Sequence, residues 1–238
     1  MKLAFISDIH GNAVALEAVL KDIERKEVDK IVVLGDICYR GPEPKRSLEI
    51  IRSLDTIVLK GNADEWVVRG VNKGEVPDAV LEGMREEREW ITSKLDESDL
   101  DYLKNLPTYY LLPVNDTVTI HCFHATPTSL FEVVKPDDTE MIQSKLLEND
   151  KADIFLYGHI HHPYVRFING KAVANLGSVG LPFDGLAKSS YAIVEVKEEG
   201  FTIGIHRVTY DLEKVIKQYE EEGYPNLNMR NIIKNGKL

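Results

Sequence analysis

Three short apolar runs in the first sixty residues, each followed by an acid or an amide, restrict this chain more than any other feature. Lys2-Leu3-Ala4-Phe5-Ile6, Lys30 to Leu34 and Thr56 to Leu59 read as buried strands, short and nearly all apolar. Between them, Ala13 to Ile23 reads as an amphipathic helix. Pro42 to Leu54 reads as another, with Leu48, Ile51 and Leu54 at helical spacing. Strand-helix-strand-helix-strand is the order of a covered, mainly parallel sheet. Ligands of such sheets gather at the carboxyl ends of the strands. The three runs end there in Ser7-Asp8-Ile9-His10-Gly11-Asn12, Gly35-Asp36 and Lys60-Gly61-Asn62-Ala63-Asp64. Extended backbone continued to His10 would set Asp8 and His10 on one face, reaching one ion from one direction. Gly11 would then let the chain turn into the first helix.

Beyond residue 75 the texture changes. Val76 to Leu106 reads as a helical insert, with Trp90, Ile91 and Leu95 on one face, a break near Asp96 and a short second helix stopped by Pro107, and with the sheet-end loops it would shape a substrate pocket. The charged run Arg85 to Glu89 reads as a solvated face. Tyr109 to Val114 and Thr117 to Phe123 flank Asn115-Asp116 as a hairpin. A helix over Thr139 to Asn149 and a strand over Asp153 to Tyr157 follow. Val165 to Ile168 and Lys171 to Ala174 flank Asn169-Gly170, a strong hairpin signal. Tyr191 to Lys197 and Phe201 to Val208 pair around Glu198-Glu199-Gly200. Leu212 to Glu222 reads as an acidic amphipathic helix. No repeat, low-complexity tract or long linker interrupts residues 1–238, which read as one domain carrying the insert at about 76–106.

Charge and composition narrow the partners. With 29 basic and 39 acidic residues the net charge is −10, which argues against binding to nucleic-acid backbone. A phosphate substrate remains compatible if metal cations supply local positive charge. Hydrophobic content of 43% and charged content of 29% are those of an ordinary globular protein, and no apolar stretch approaches a membrane span. Met1-Lys2 runs straight into the first strand without a signal segment, so a cytoplasmic location is expected. Cys38 and Cys122 outline no disulfide framework and read as buried thiols. No feature of the sequence fixes an oligomeric state.

Five stretches carry the chemistry: Asp8-Ile9-His10, Gly35-Asp36, Gly61-Asn62, His124 after the strand ending at Phe123, and Gly158-His159-Ile160-His161. Each follows an expected strand at its C-terminal end. Alone, each piece is a common turn or a hydrogen-bonded histidine. Together they offer two acids, one amide oxygen and four imidazoles, a set suited to two divalent first-row metals. A carboxylate such as Asp36 can bridge two ions roughly 3.5–4 Å apart, which points to metal-assisted hydrolysis of a phosphoester.

In that order the motifs D-x-H, G-D, G-N, H and G-H-x-H resemble those of the calcineurin-like metallophosphoesterases. Asn175-Leu176-Gly177-Ser178-Val179-Gly180, the Tyr191-Ala192-Ile193 strand and Tyr210-Asp211-Leu212-Glu213 resemble the bacterial and archaeal small-phosphoesterase branch. The resemblance implies an α/β (α+β) fold, a four-layer αββα sandwich of two mixed β-sheets flanked by helices. It also implies two divalent metal ions, Mn²⁺ first, with Fe, Zn or Ni as alternatives. By motif, one ion takes Asp8, His10, Asp36 and His161, and the other takes Asp36, Asn62, His124 and His159. His124-Ala125-Thr126-Pro127 matches the family's His-Gly-Ser-Pro, which leaves His121 to a core or supporting role. His162 alternates off the motif and reads as surface, with a supporting or substrate contact as the other option.

Gly35-Asp36-Ile37-Cys38-Tyr39-Arg40-Gly41-Pro42 is similar to the G-D-x-x-D-R-G of protein Ser/Thr phosphatases and symmetrical dinucleoside tetraphosphatases. The similarity puts Arg40 where that motif holds phosphate, and a guanidinium suits a tetrahedral anion. A plain loop arginine is the other reading. The chain departs from the family at Ala63, where many relatives have a proton-donating histidine, and at Tyr39, where the arginine motif has an acid. Asp64 or a neighbouring histidine is then the candidate substitute. The expected activity is hydrolysis of a phosphodiester or small phosphate ester by a bridging hydroxide. Asp36, Asn62, Arg40 and Asp64 are the catalytic candidates. The alternatives are a dinucleoside polyphosphate hydrolase, a Ser/Thr protein phosphatase-like activity, and a catalytically weak metal-binding scaffold.

Overall fold

A computed structural model describes residues 1–149 and 151–237. The domain expectation extends to Asp150 and Leu238, which lie outside the described residues. Five strands form a first sheet in the order β10-β9-β1-β2-β3: β1 (Lys2–Ile6), β2 (Lys30–Val33), β3 (Ile57–Val58), β9 (Ser189–Lys197) and β10 (Gly200–Val208). The β1, β2 and β3 strands run parallel, and β9 closes antiparallel against β1. A second five-stranded sheet has the order β4-β5-β6-β8-β7: β4 (Tyr109–Pro113), β5 (Thr119–Phe123), β6 (Ile154–Tyr157), β7 (Tyr164–Ile168) and β8 (Lys171–Asn175). Its parallel centre β5-β6-β8 is flanked by antiparallel β4 and β7.

Alternation along the strands builds the layers. On β1, Leu3 and Phe5 face the second sheet and meet Ile120, Cys122, Ile154 and Leu156 in one apolar seam. Ala4 and Ile6 point the other way, onto helices α1 (Ala13–Arg25) and α2 (Pro44–Ser53). The outer face of the second sheet, Phe123, Phe155 and Val173, is covered by Ile142 and Leu146. Two mixed sheets between helical layers are thus the αββα sandwich expected.

Several local expectations change. α3 (Asn62–Arg69) was not foreseen, because Gly61-Asn62 read as a turn. Asp64 at its third position accepts from the Gly61 N–H at 2.9 Å, half of a capping box that the sequence carried. As expected, the insert divides near Asp96 into α4 (Asp78–Ser93) and α5 (Glu97–Lys104), and Asp96 caps the latter by accepting from the Asp99 N–H at 3.1 Å. The helix expected over 139–149 is a single turn, α6 (Thr139–Met141), that widens into a π-helical turn over Ile142–Leu146. After α7 (Leu212–Glu221), a further helix, α8 (Met229–Asn235), ends at Gly236 in a left-handed conformation. Both hairpins form as expected, and Asn169 and Gly170 both have positive φ (51° and 78°), the pattern of a type I′ turn.

Candidate metal centre

The candidate ligands collect at the carboxyl ends of β1, β2, β5 and β6 and at the start of α3, the edge where the two sheets meet. Their backbone differs from the expected extended continuation. β1 ends at Ile6, and Asp8 and His10 take φ of 56° and 50°. Asp36, His159 and His161 are left-handed as well, at 58°, 67° and 56°. Such conformations cost on the order of 1–3 kcal/mol each in residues with a Cβ, so the surroundings must impose them. Here they do: Asp8 N–H donates to Gly35 O at 3.0 Å, His10 N–H to Asp36 O at 2.9 Å and Gly180 N–H to Asp8 O at 3.0 Å. Asp8 and His10 therefore converge through two tight turns, not through strand alternation. Gly158 explains one glycine of the motifs: a Cβ there would strike Ser7 Oγ and Asp8 Oδ2.

Asp36 occupies the middle. Its Oδ1 accepts from the Ala63 N–H at 2.8 Å, and its Oδ2 lies 3.6 Å from His10 Nε2 and 3.4 Å from His124 Nε2. On one side Asp8 Oδ1 is 3.0 Å from His161 Nε2, which is 3.1 Å from His10 Nε2. The donor atoms of Asp8, His10, Asp36 and His161 all lie within 4.8 Å of one another, and all four residues are buried. On the other side Asn62 Oδ1 is 3.0 Å from His124 Nε2 and 2.8 Å from His159 Nδ1.

The imidazole partners test whether these residues fit a cation. His10 Nδ1 donates to Tyr39 O at 2.8 Å, His124 Nδ1 to Leu34 O at 2.7 Å, and His161 Nδ1 to Leu181 O. A carbonyl can only accept, so each of these nitrogens carries the hydrogen and each Nε2 presents a lone pair inward. Lone pairs of His10 and His161 then face each other at 3.1 Å beside two carboxylates, an arrangement that a divalent ion resolves. Beside Asp36, His124 holds a proton when no ion is bound. Burial works to lower the His124 pKa, but Asp36 and then Asp8 outweigh it and push it up to about 10. Burial likewise works against the charge of Asp36, yet His124 and His10 hold its carboxyl below the usual range. His159, half-buried and beside His124, is pulled down to about 4 by desolvation and the His124 charge. Metal entry must displace the His124 proton, so affinity weakens as pH falls.

Of the other candidates, Arg40 lines the cavity above the centre together with Tyr39, Ala63, Trp66 and Met84. Its guanidinium forms no ion pair among the described residues, and its Nη2 is 3.7 Å from Met84 Sδ. Tyr39 donates its hydroxyl to Met84 O, tying α4 to the site. Asp64 is fully buried and does not line the cavity: its oxygens accept from the N–H groups of Asp36 at 2.8 Å, Ile37 at 2.8 Å and Gly61 at 2.9 Å. Burial and the Asp36 charge raise its pKa to about 6 against those three amides. His121 sits on the far face of β5 among Tyr109, Phe123 and Phe155, and burial lowers it to about 4. His162 is exposed, with Nδ1 2.7 Å from Ile160 O.

A family model, the calcineurin-like phosphoesterase superfamily domain, matches residues 1–199. The chain belongs to the calcineurin-like phosphoesterase superfamily. Calcineurin-like phosphoesterases use divalent metals, in keeping with the donor set above. An uncharacterized protein of Methanocaldococcus jannaschii is 31% identical over 246 aligned residues, 94% of this chain and 93% of that one. A symmetrical bis(5′-nucleosyl)-tetraphosphatase of Pectobacterium carotovorum is 24% identical over 72% of this chain, which spans 61% of that enzyme. A metallophosphoesterase structure from Sphaerobacter thermophilus superposes with a TM-score of 0.78 at 28% identity, covering 99% of both chains. A Pyrococcus horikoshii protein, at TM-score 0.86 and 23% identity over 100% and 99% of the two chains, shares the fold. Among the described residues no helix is long and apolar enough to cross a membrane. What the calcineurin-like motifs did not flag is the wall of the site: Trp66 from the unforeseen α3, Val76, Pro77 and Met84 from the insert, and Phe183. Phe183 stacks on His161 with ring centroids 4.3 Å apart. The insert's apolar face was the only sequence signal for any of them.

Proposed function

We propose that the chain is a metal-dependent phosphodiesterase that holds one divalent ion, Mn²⁺ first among the first-row metals, in each of its two donor sets. Asp8, His10, Asp36 and His161 would hold the first ion, and Asp36, Asn62, His124 and His159 the second. The observation that carries this reading is Asp36, whose Oδ2 faces His10 at 3.6 Å and His124 at 3.4 Å, so one oxygen addresses both sets. Bound ions would supply Lewis acidity toward phosphoryl oxygens and lower the pKa of water. The chain's own groups do the rest. Backbone carbonyls 34, 39 and 181 fix three imidazoles in the metal-binding tautomer, and the Ala63 N–H aims Asp36.

No side chain at position 63 can donate a proton, and Asp64 faces backbone amides instead of the cavity. A positioned general acid is typically worth ~10²–10⁴-fold. Aryl esters, whose leaving groups need no proton, are therefore the best substrates. On metal-stripped protein resupplied with Mn²⁺, bis(p-nitrophenyl) phosphate is expected to turn over faster than p-nitrophenyl phosphate. Faster monoester turnover would contradict the diester assignment.

A second reading, a dinucleoside polyphosphate hydrolase, is favoured by Arg40, a cation in the cavity with no ion-pair partner among the described residues. A charged hydrogen bond to phosphate contributes about 1.5–3 kcal/mol, so Arg40→Ala should raise KM for a dinucleoside tetraphosphate by roughly 10–100-fold. An unchanged KM would return Arg40 to a loop role.

A further inference from the structure

The metal centre opens on two cavities, and only one of them is filled by the chemistry. The first, about 230 Å³, contains His10, Asp36, Asn62, His159 and His161, so the ions and a phosphoryl group occupy most of it. The second, about 590 Å³, shares His159 and Phe183 with the first as lining residues. That size falls within the roughly 300–1,000 Å³ of small-molecule sites. Its wall is mostly apolar, built by Val133, Pro136, Ile160 and Phe183. Lys135, Asp137, His162 and Lys237 also line it, and neither lysine forms an ion pair among the described residues of a chain with net charge −10.

On the reading of the centre given above, we propose that this second cavity takes a planar, nucleobase-sized ring of the ester and so sets its specificity. An apolar enclosure favours a flat unsaturated ring over a polyol, because burying hydroxyls without partners is costly whereas ring area gains about 25 cal/mol per Å². Phe183 already stacks on an imidazole at 4.3 Å and 15° and presents aromatic surface to the cavity. Aromatic pairs of this kind add about 0.5–1.5 kcal/mol. Two lysines against the single carboxylate of Asp137 leave the wall net positive, where a nucleotide carries further phosphate or electron-rich ring edges. A phosphate ester of a nucleoside is the class that fits all three features.

The test uses binding, so it does not depend on turnover. AMP and ribose 5-phosphate share phosphate and sugar and differ only in the base. Calorimetry on the Mn²⁺-loaded protein is expected to show AMP binding about tenfold or more tighter, a ratio equivalent to about 1.4 kcal/mol. Val133→Trp fills the cavity from an exposed position, 53% accessible, where folding is not at stake. It is expected to cut that ratio to about threefold or less, by removing the space that the base needs. Equal affinities in the unmodified protein, or an undiminished ratio in Val133→Trp, would overturn the proposal. Absence of hydrolysis of any ester would instead overturn the enzymatic reading and leave the binding ratio standing.

Discussion

Asp36→Asn is expected to lose metal retention and ester hydrolysis together, each by at least a hundredfold. The substitution keeps the shape and leaves Oδ1 to accept from the Ala63 N–H, now 2.8 Å away, so the loop stays in place. What disappears is the charge of the oxygen that lies between His10 and His124. Both donor sets lose a ligand at once, and a hundredfold loss corresponds to about 2.7 kcal/mol, modest for removing a charge from a buried cation site. Metal content after dialysis and turnover of bis(p-nitrophenyl) phosphate are the two readouts. Full turnover in this variant would mean that Asp36 is no ligand, and a loss of turnover with both ions retained would mean that it does not bridge.

Asp64→Ala is expected to be the most destabilising single change near the site. Its carboxylate accepts from three backbone N–H groups, those of Asp36, Ile37 and Gly61, and none of them is in a helix or strand that offers another partner. Each buried donor left unpaired costs about 1–3 kcal/mol, so the loss is at least about 3 kcal/mol out of a typical total of roughly 5–15. Urea unfolding of the metal-free protein should show the midpoint falling accordingly. Because the same amides hold the Asp36 loop against α3, metal affinity falls too. A loss below about 1 kcal/mol would mean that water or a shifted loop replaces the carboxylate. Asp64 is thus a positioning residue, and the sequence hinted at this less through chemistry than through helix capping.

Much of the molecule was legible because its ligand chemistry sits where strands end. The order of Asp8, Asp36, Asn62, His124 and the His159-His161 pair follows the order of the strands, so motif and topology reinforced each other. The hairpin at Asn169-Gly170 was equally plain, since few other residues adopt two consecutive positive φ values. Less visible was how Asp8 and His10 come together. Period-two reasoning gave the right neighbours for the wrong reason, because left-handed turns imposed by contacts with residues 35, 36 and 180 override the extended path. Short helices were the other weak point. α3 starts on Gly61-Asn62, a turn signal in isolation, and only the acid three residues on marks it as a helix start. The insert was legible as an element that shapes the pocket, but the individual wall residues were not, for a simpler cause. Trp66, Met84 and Phe183 are ordinary apolar residues in sequence, and only long-range packing brings them over the candidate ligands.

Stoichiometry tests the central claim most directly. Metal-stripped protein is titrated with Mn²⁺ while bound ion and hydrolysis of bis(p-nitrophenyl) phosphate are followed in the same samples. Two ions per chain are predicted, with turnover appearing as the second site fills, because Asp36 serves both donor sets. Turnover that saturates with one ion per chain would contradict a dinuclear centre. Two tightly held ions with no turnover of diester or monoester would contradict the enzymatic reading and leave a metal-binding scaffold in its place.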